Sequence, residues 1–556
     1  MAKSEALPMT RPEVFTRKAS GLVRVMSPYS AFVYNILTMG LIFPWTYLWA
    51  PGALPGGRLV WGILLAMLIE IPIAYVYVWL STALPRSGGD YVFQSRVFGG
   101  GVAFTVVMSG FVIWILQWVA LSGWLVSYLG FAPLFLGLGA TLGNASLSNL
   151  GVWFTTPIGI VIVSILNALL ALLLLVSGFK NYVRFQHVMW WGTLAAFAVV
   201  FIVLFATPAS EFVSRLNAFA VASGGSANFY ETARAAVTGA GINLNPPFSL
   251  LATLLIAPIA WTSLQWATYS AQQNGEIKDA RSFQAQVFIM VGSLIATGLL
   301  LALLAVGIER VAGSEFLYIA GAGYWSLIPE ATINGFNLWP PILAVALTGS
   351  PLVVLIIAMG YLLNGFQIVC NCYIGMTRVM VAMSLDRLLP EWFSRVDEKL
   401  HTPVNAHLAY FLASIPVILA YNLVPGWIGL TLGVTFGCGY VFVITCIAGA
   451  LLPYRAKELY EASPGAKYKL GDIPMITVLG VLGGILGTIM VLAFLFAPQL
   501  GVLGNWNFEN FPSGLWAQII AFGIILLSAI WYLAVKSSQR SKGINVEFAF
   551  KEVPPE

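Results

Sequence analysis

Apolar runs of about 20 residues recur along the whole chain, separated by short polar stretches. Each is long enough to cross a bilayer as a helix. Reading for such runs predicts twelve spans, near 29–50, 59–83, 102–130, 151–177, 184–207, 248–272, 284–308, 351–383, 405–423, 427–452, 475–498 and 513–535. Outer-membrane barrels are excluded, because their spans are ~10 residues of alternating polarity. The expected fold class is an all-α polytopic membrane protein with 12 transmembrane helices.

Composition agrees. Of 556 residues, 59% are hydrophobic and 9% charged, against roughly 25% charged in soluble domains. The mean hydropathy is +0.86. A soluble enzyme, a disordered chain and an ordinary nucleic-acid binder are excluded, and the first partner is the lipid bilayer. The net charge of +5 matters less than where the basic residues fall. Of 27 Lys and Arg, only Arg58, Arg215, Arg234 and Arg310 lie in the odd-to-even connections. The rest crowd the termini, the even-to-odd loops and their helix ends. Positive residues stay inside, so both termini are expected in the cytoplasm of a multi-pass cell-membrane protein, with 208–247 and 309–350 outside. The run 338–348 is too short to span and reads as interfacial or re-entrant. Cys370, Cys372, Cys438 and Cys446 sit in apolar runs without a C-x-x-C pair, so no disulfide framework, metal site or other cofactor is expected.

Polar clusters inside spans carry the functional signal, since unsatisfied groups in lipid cost several kcal/mol. Span 1 holds Asn35, Thr38 and Gly40, then Pro44; span 6 holds Pro258, Trp261, Thr262, Ser263 and Gln265. These spans are five apart, an odd number, so two five-helix repeats would be inverted. Interrupted helices at matching positions mark a transporter binding site. Freed N–H groups suit a carboxylate and freed carbonyls an ammonium or metal cation, as an α-amino acid requires. The substrate is expected near Thr38-Met39-Gly40 and Ala260-Trp261-Thr262, with amides at the first break, carbonyls at the second and Trp261 as an aromatic lid. Span 8 adds a polar seam of Tyr361, Asn364, Gln367, Asn371 and Arg378. Span 10 adds Thr431, Thr435, Cys438 and Thr445.

Further motifs stand at the span ends: Gly21-Leu22-Val23-Arg24, the stretch Ala83-Leu84-Pro85-Arg86-Ser87-Gly88-Gly89-Asp90-Tyr91, Gly275-Glu276-Ile277-Lys278-Asp279, Thr377-Arg378, Leu385-Asp386-Arg387-Leu388-Leu389-Pro390 and Thr402-Pro403-Val404-Asn405-Ala406. In this order and spacing the chain resembles the amino acid–polyamine–organocation (APC) permeases. The resemblance covers roughly residues 20–535 and implies a LeuT-like 5+5 inverted repeat plus two C-terminal helices. The expected organisation is then a cytoplasmic segment at 1–28, a first repeat at 29–207, an extracellular loop at 208–247, an inverted repeat at 248–452, helices 11 and 12 at 453–535, and a cytoplasmic tail at 536–556. Three departures bear on the site, the first being that the family's usual Phe-x-Gly-type break in span 6 is not recognisable and Pro258 and Trp261-Thr262-Ser263 occupy that region. Met39-Gly40-Leu41 stands where the family often has Gly-Ser-Gly, and Thr193 stands where many proton-coupled relatives carry lysine.

The resemblance implies secondary transport of amino acids, and the absence of a nucleotide-binding motif argues against ATP drive. Catalysis is not expected, because clustered His, Asp or Glu are missing from the spans. Glu70 is the one carboxylate deep in a predicted span and the first candidate for carrying H+. Thr193, Asn364 and Asn371 are further coupling candidates, the last two at a Na+ site between spans 1 and 8. Few deep charges mean a neutral amino acid substrate. An exchanger, a sodium symporter and a transporter-like sensor are the alternatives. Cysteine-accessibility labelling checks the topology: positions 225 and 322 should react only from outside, and labelling there only from the cytoplasm would overturn it.

Overall fold

The apolar runs do become helices. In the computed structural model, which describes residues 20–41 and 49–551, eleven helices are long and apolar enough to cross a membrane. They are α2 (Leu59–Ala83), α3 (Gly100–Leu142), α4 (Pro157–Val176), α5 (Phe179–Ala206), α6 (Leu250–Leu264, extended to Glu276), α7 (Phe283–Trp325), α8 (Pro351–Leu385), α9 (Val404–Leu423), α10 (Thr431–Arg455), α11 (Met475–Phe496) and α12 (Leu515–Ser541). The first predicted span is the exception. Its described part is the 12-residue α1 (Pro28–Met39), which starts on a Ser27 cap and stops at Gly40. Gly40 has φ +80°, a left-handed conformation that glycine adopts without a Cβ penalty. Pro44 lies outside the described residues. The strands described are β1 (Lys469–Leu470) and β2 (Ile473–Pro474), a two-residue antiparallel pair.

Several predicted boundaries move. The sixth span does not break at Pro258. The α-helix runs through it to Leu264, and a 3-10 segment then continues from Gln265 to Glu276. Runs of 3-10 helix beyond 3–4 residues are uncommon; this one has 12, all buried. The seventh helix runs on to Trp325 past a bend at Gly313, so the outer segment expected at 309–350 is helical over its first third. Ala322 is buried there, so the label that tests the expected topology moves to exposed Ser226. The short run at 338–348 is the helix Pro340–Ala346, every residue of it buried.

Three of the arginines expected on the outer side tie these segments together. Arg215 donates to the Leu347 carbonyl at 2.6 Å. Arg234 meets Glu315 at 2.6 Å, and Arg310 reaches the Leu204 carbonyl at 3.2 Å.

Burial sorts the helices. The most apolar stretch of α6 is 78% buried, that of α12 only 22%, so α6 is central and α12 faces lipid. Around α6 stand α2, α10 and α11, while α1 packs on the 3-10 segment, α5, α7 and α8. Small residues permit the closest approaches. A Cβ on Gly360 of α8 would lie 2.1 Å from the Ala196 Cβ of α5. Gly360→Val should therefore destabilise the protein by roughly 1–3 kcal/mol, read as a lower melting temperature in detergent. Gly523→Val on α12, where a Cβ meets nothing within 4 Å, should leave it unchanged.

Candidate functional site at the helix breaks

The last turn of α1 has carbonyls with no helical partner. Gly40 closes one by donating its N–H to Ile36 at 2.9 Å. Side chains from other helices close others. Asn364 of α8 donates to the Leu37 carbonyl at 3.1 Å, and Ser263 of α6 donates to the Met39 carbonyl. Asn371 of α8 donates to the Thr38 hydroxyl at 2.5 Å and, at 3.4 Å, to the Tyr34 carbonyl. The two broken segments thus touch directly, through Met39 and Ser263. The described side of the first break presents carbonyls, not the expected amides. A helix that stops at its C-terminal end can offer nothing else, and the amides of the following residues lie at 42–48, outside the described residues.

On the sixth helix, the Trp266 indole N–H takes the Thr262 carbonyl at 2.9 Å. The side chain thereby competes for a backbone acceptor as the helix tightens into its 3-10 segment. Asn35, midway along α1, holds that segment from the other side. It donates to the Ala267 carbonyl at 2.6 Å, and its own oxygen accepts the Ser270 N–H at 2.9 Å. Irregular backbone survives at membrane depth only when surrounded by protein in this way.

Glu70 of α2 is fully buried, and its Oε2 accepts the Trp261 indole N–H at 2.6 Å. Its Oε1 has no partner among the described residues. Next to Trp261, Thr262 accepts from Thr435 of α10 at 3.1 Å. Trp261 is itself wholly buried. In this conformation it is a strut between α2 and α6.

Glu70 is not the sole buried carboxylate; Asp90, Glu276 and Asp386 are buried as well. They stand at helix ends that fold under the bundle, where hydropathy reading does not reach. Arg378 of α8 forms a two-pronged pair with Glu276, at 2.7 and 2.8 Å. It also touches His407 of α9 at 3.2 Å and lies 4.9 Å over the Phe179 ring. Arg96 meets Asp386 at 3.1 Å. Asp90 accepts from Tyr77, from Gln272 at 2.5 Å and from Thr445 at 2.5 Å. Asp90 lies between α2 and α3, and burial raises its carboxyl above the usual range despite these donors. Together these contacts bind α2, the 3-10 segment, α8, α9 and α10 at one end of the bundle, the end that bears the Lys/Arg-rich loops.

The family described as "Amino acid permease" matches residues 28–530. The chain belongs to the amino acid permease family. A stretch of 102 residues, 17% of the chain, is 30% identical to "Uncharacterized protein 399" of Sulfolobus islandicus rod-shaped virus 1 and covers 26% of that protein. The APC resemblance carried by the Pro-Arg-Ser-Gly-Gly stretch and its companions is thereby established.

Within the permease, the predicted site residues meet in part. Thr38, Met39 and Gly40 lie beside the α6 break through Ser263. Asn364 and Asn371 reach α1 from α8. Ala260, Trp261 and Thr262 are buried on the helical side of the transition, three to five residues before it. Thr193 on α5 is buried, and its hydroxyl has no partner among the described residues; it does not join the Asn364–Asn371 network. Sequence reading passed over Ser263 as a contact, Trp266 as a cap and Tyr182. The Tyr182 hydroxyl lies 2.6 Å from Asn371 Oδ1 and 2.5 Å from Gln367 Nε2. The polar run from Thr262 to Gln265 was the available signal for the first two. Nothing local marked Tyr182.

Removing one partner of a buried ion pair strands the other's charge, a cost of about 3–5 kcal/mol. Glu276→Gln should therefore lower the melting temperature sharply. Glu276→Gln combined with Arg378→Met should recover much of the loss.

Proposed function

We propose that this permease carries a neutral amino acid across the cell membrane by alternating access, coupled to protons. The contact of the two broken helices, Ser263 on the Met39 carbonyl, carries the reading. It brings two interrupted segments, five spans apart, to one place inside the bundle, as an inverted 5+5 repeat with cytoplasmic termini requires. Alternating access then moves one group of helices against the other around that place.

The substrate sits at Thr38-Met39-Gly40 and Ala260-Trp261-Thr262. Among the described residues, three buried polar atoms without partners lie on the helices that meet here: Glu70 Oε1, Gln265 Oε1 and Asn364 Oδ1. Each is an acceptor when Glu70 is ionised, a chemistry suited to an ammonium group. Neutrality of the side chain follows from the charges. Arg378 and Glu276 satisfy each other, Arg96 and Asp386 are paired, Asp90 is held by Tyr77, Gln272 and Thr445, and Glu70 keeps one carboxylate oxygen without a partner among the described residues.

The groups that hold the α1 carbonyls bear on the coupling ion. A sodium ion needs several oxygens, carbonyls above all. Here the amide N–H groups of Asn364 and Asn371 point at the Leu37 and Tyr34 carbonyls and the Thr38 hydroxyl. These donors do a cation's work. Glu70 can bind and release a proton, and doing so alters its bond to Trp261, so protonation is linked to the packing of α6 on α2.

Uptake into proteoliposomes tests this. A neutral amino acid should accumulate under an inward pH gradient, with sodium absent, and Glu70→Gln should lose about tenfold or more of that uptake, as for a group acting in proton transfer. Normal uptake in Glu70→Gln together with strict sodium dependence would overturn the coupling. Ligand-induced stabilisation by a neutral amino acid should weaken in Thr262→Val; unchanged affinity would remove Thr262 from the site.

A further inference from the structure

A second site lies away from the helix breaks, on the outer wall of the bundle. A groove of about 660 Å³ runs between the end of α2, the start of α7 and the β1–β2 hairpin that leads into α11. That volume is in the range of small-molecule sites, ~300–1,000 Å³. Its walls are aromatic. Trp79 packs edge-on against Phe283 at 5.1 Å, and Phe283 lies 4.8 Å from Tyr468. The Trp79 indole donates to the Gly465 carbonyl at 2.9 Å, which fixes the loop to α2 and keeps the groove's shape. Phe288, 44% exposed, and Tyr468, 39% exposed, leave the wall open to the surroundings.

Two basic residues, Lys467 and Lys469, line the same groove, and no carboxylate does. Among the described residues, neither lysine is ion-paired. Asp472, in the hairpin turn, is not part of the lining. The position along the helices is informative. Trp79 is one turn from the end of α2, and Phe283 and Met475 are the first residues of α7 and α11. The lysines therefore stand at the boundary between hydrocarbon and headgroups, with the aromatic walls beside them.

We propose that this groove binds one anionic phospholipid, its phosphate at Lys467 and Lys469 and an acyl chain along Trp79, Phe283 and Phe288. Basic pockets between transmembrane helices suit such headgroups. A phosphate ion alone matches the lysines but leaves the apolar wall unexplained; a zwitterionic lipid fills the wall but gains less at the lysines. The occupant would also reach the transport core by one ring. Phe288 stacks at 4.6 Å on Phe32 of α1.

The test uses the purified full-length permease in a neutral detergent, with lipid retention followed by native mass spectrometry and melting temperature. Phosphatidylglycerol should bind about tenfold or more tightly than phosphatidylcholine of the same chains, as two lysines near a headgroup imply. Lys467→Gln with Lys469→Gln should abolish that preference without changing the melting temperature in phosphatidylcholine. Gln284→Trp, which fills the groove from its exposed edge, should weaken retention of both lipids. Equal binding of the two lipids by the wild type would overturn the proposal. So would a preference that survives the double substitution, retention unaffected by Gln284→Trp, or inorganic phosphate that stabilises the protein as well as phosphatidylglycerol does.

Discussion

A peptide group that loses its helical partner inside a bilayer finds no water to replace it. The centre of this protein is organised around that constraint. At the end of α1 and along the 3-10 segment after α6, backbone carbonyls leave the regular ladder. Asn35, Ser263, Trp266 and Asn364 supply the N–H or O–H groups that meet them. Each of these donors comes from a different part of the chain than the acceptor it serves, except Trp266, which caps its own helix. The helix ends can therefore be irregular only because the bundle is assembled around them.

The same arrangement makes the centre capable of change. A carbonyl capped by a side chain can change its donor when that side chain turns, provided the displaced donor finds another partner. A carbonyl inside a regular helix cannot. Glu70 and Trp261 add a polar link to the α2–α6 contact, where an indole N–H donates to one carboxylate oxygen. At the basic end of the bundle the contacts are of another kind. The Arg378–Glu276 pair is two-pronged and dry, and Asp90 accepts from three elements at once. Opening that end would require water to reach these groups together, so it is a cooperative event and not a local one.

Close packing completes the frame. Gly360 against Ala196, and Gly62 against Ile256, let α8 meet α5 and α2 meet α6 without intervening side chains. Such contacts hold the helices that carry the capping donors at the distance the hydrogen bonds need.

Much of this was legible along the chain. Apolar runs of bilayer length decide that a segment is a helix across the membrane, because hydropathy and backbone satisfaction are local properties; eleven such runs appear as helices at nearly their predicted places. The polar clusters in spans 1 and 6 also lie where the two helices turn irregular and touch, since a polar group in lipid needs a reason to be there. Tertiary structure decided the rest. Pro258 looked like the break, yet the helix absorbs it and gives way only at Gln265, where side chains can take over backbone acceptors. Arg378 read as one member of the span 8 seam and Glu276 as part of a motif after span 6; nothing along the chain paired them, because they are 102 positions apart. Asn364 and Asn371 read as possible ion ligands, because an amide has both an oxygen and an N–H. Which of the two faces the α1 carbonyls depends on how α8 sits against α1, and that is a property of the assembled bundle.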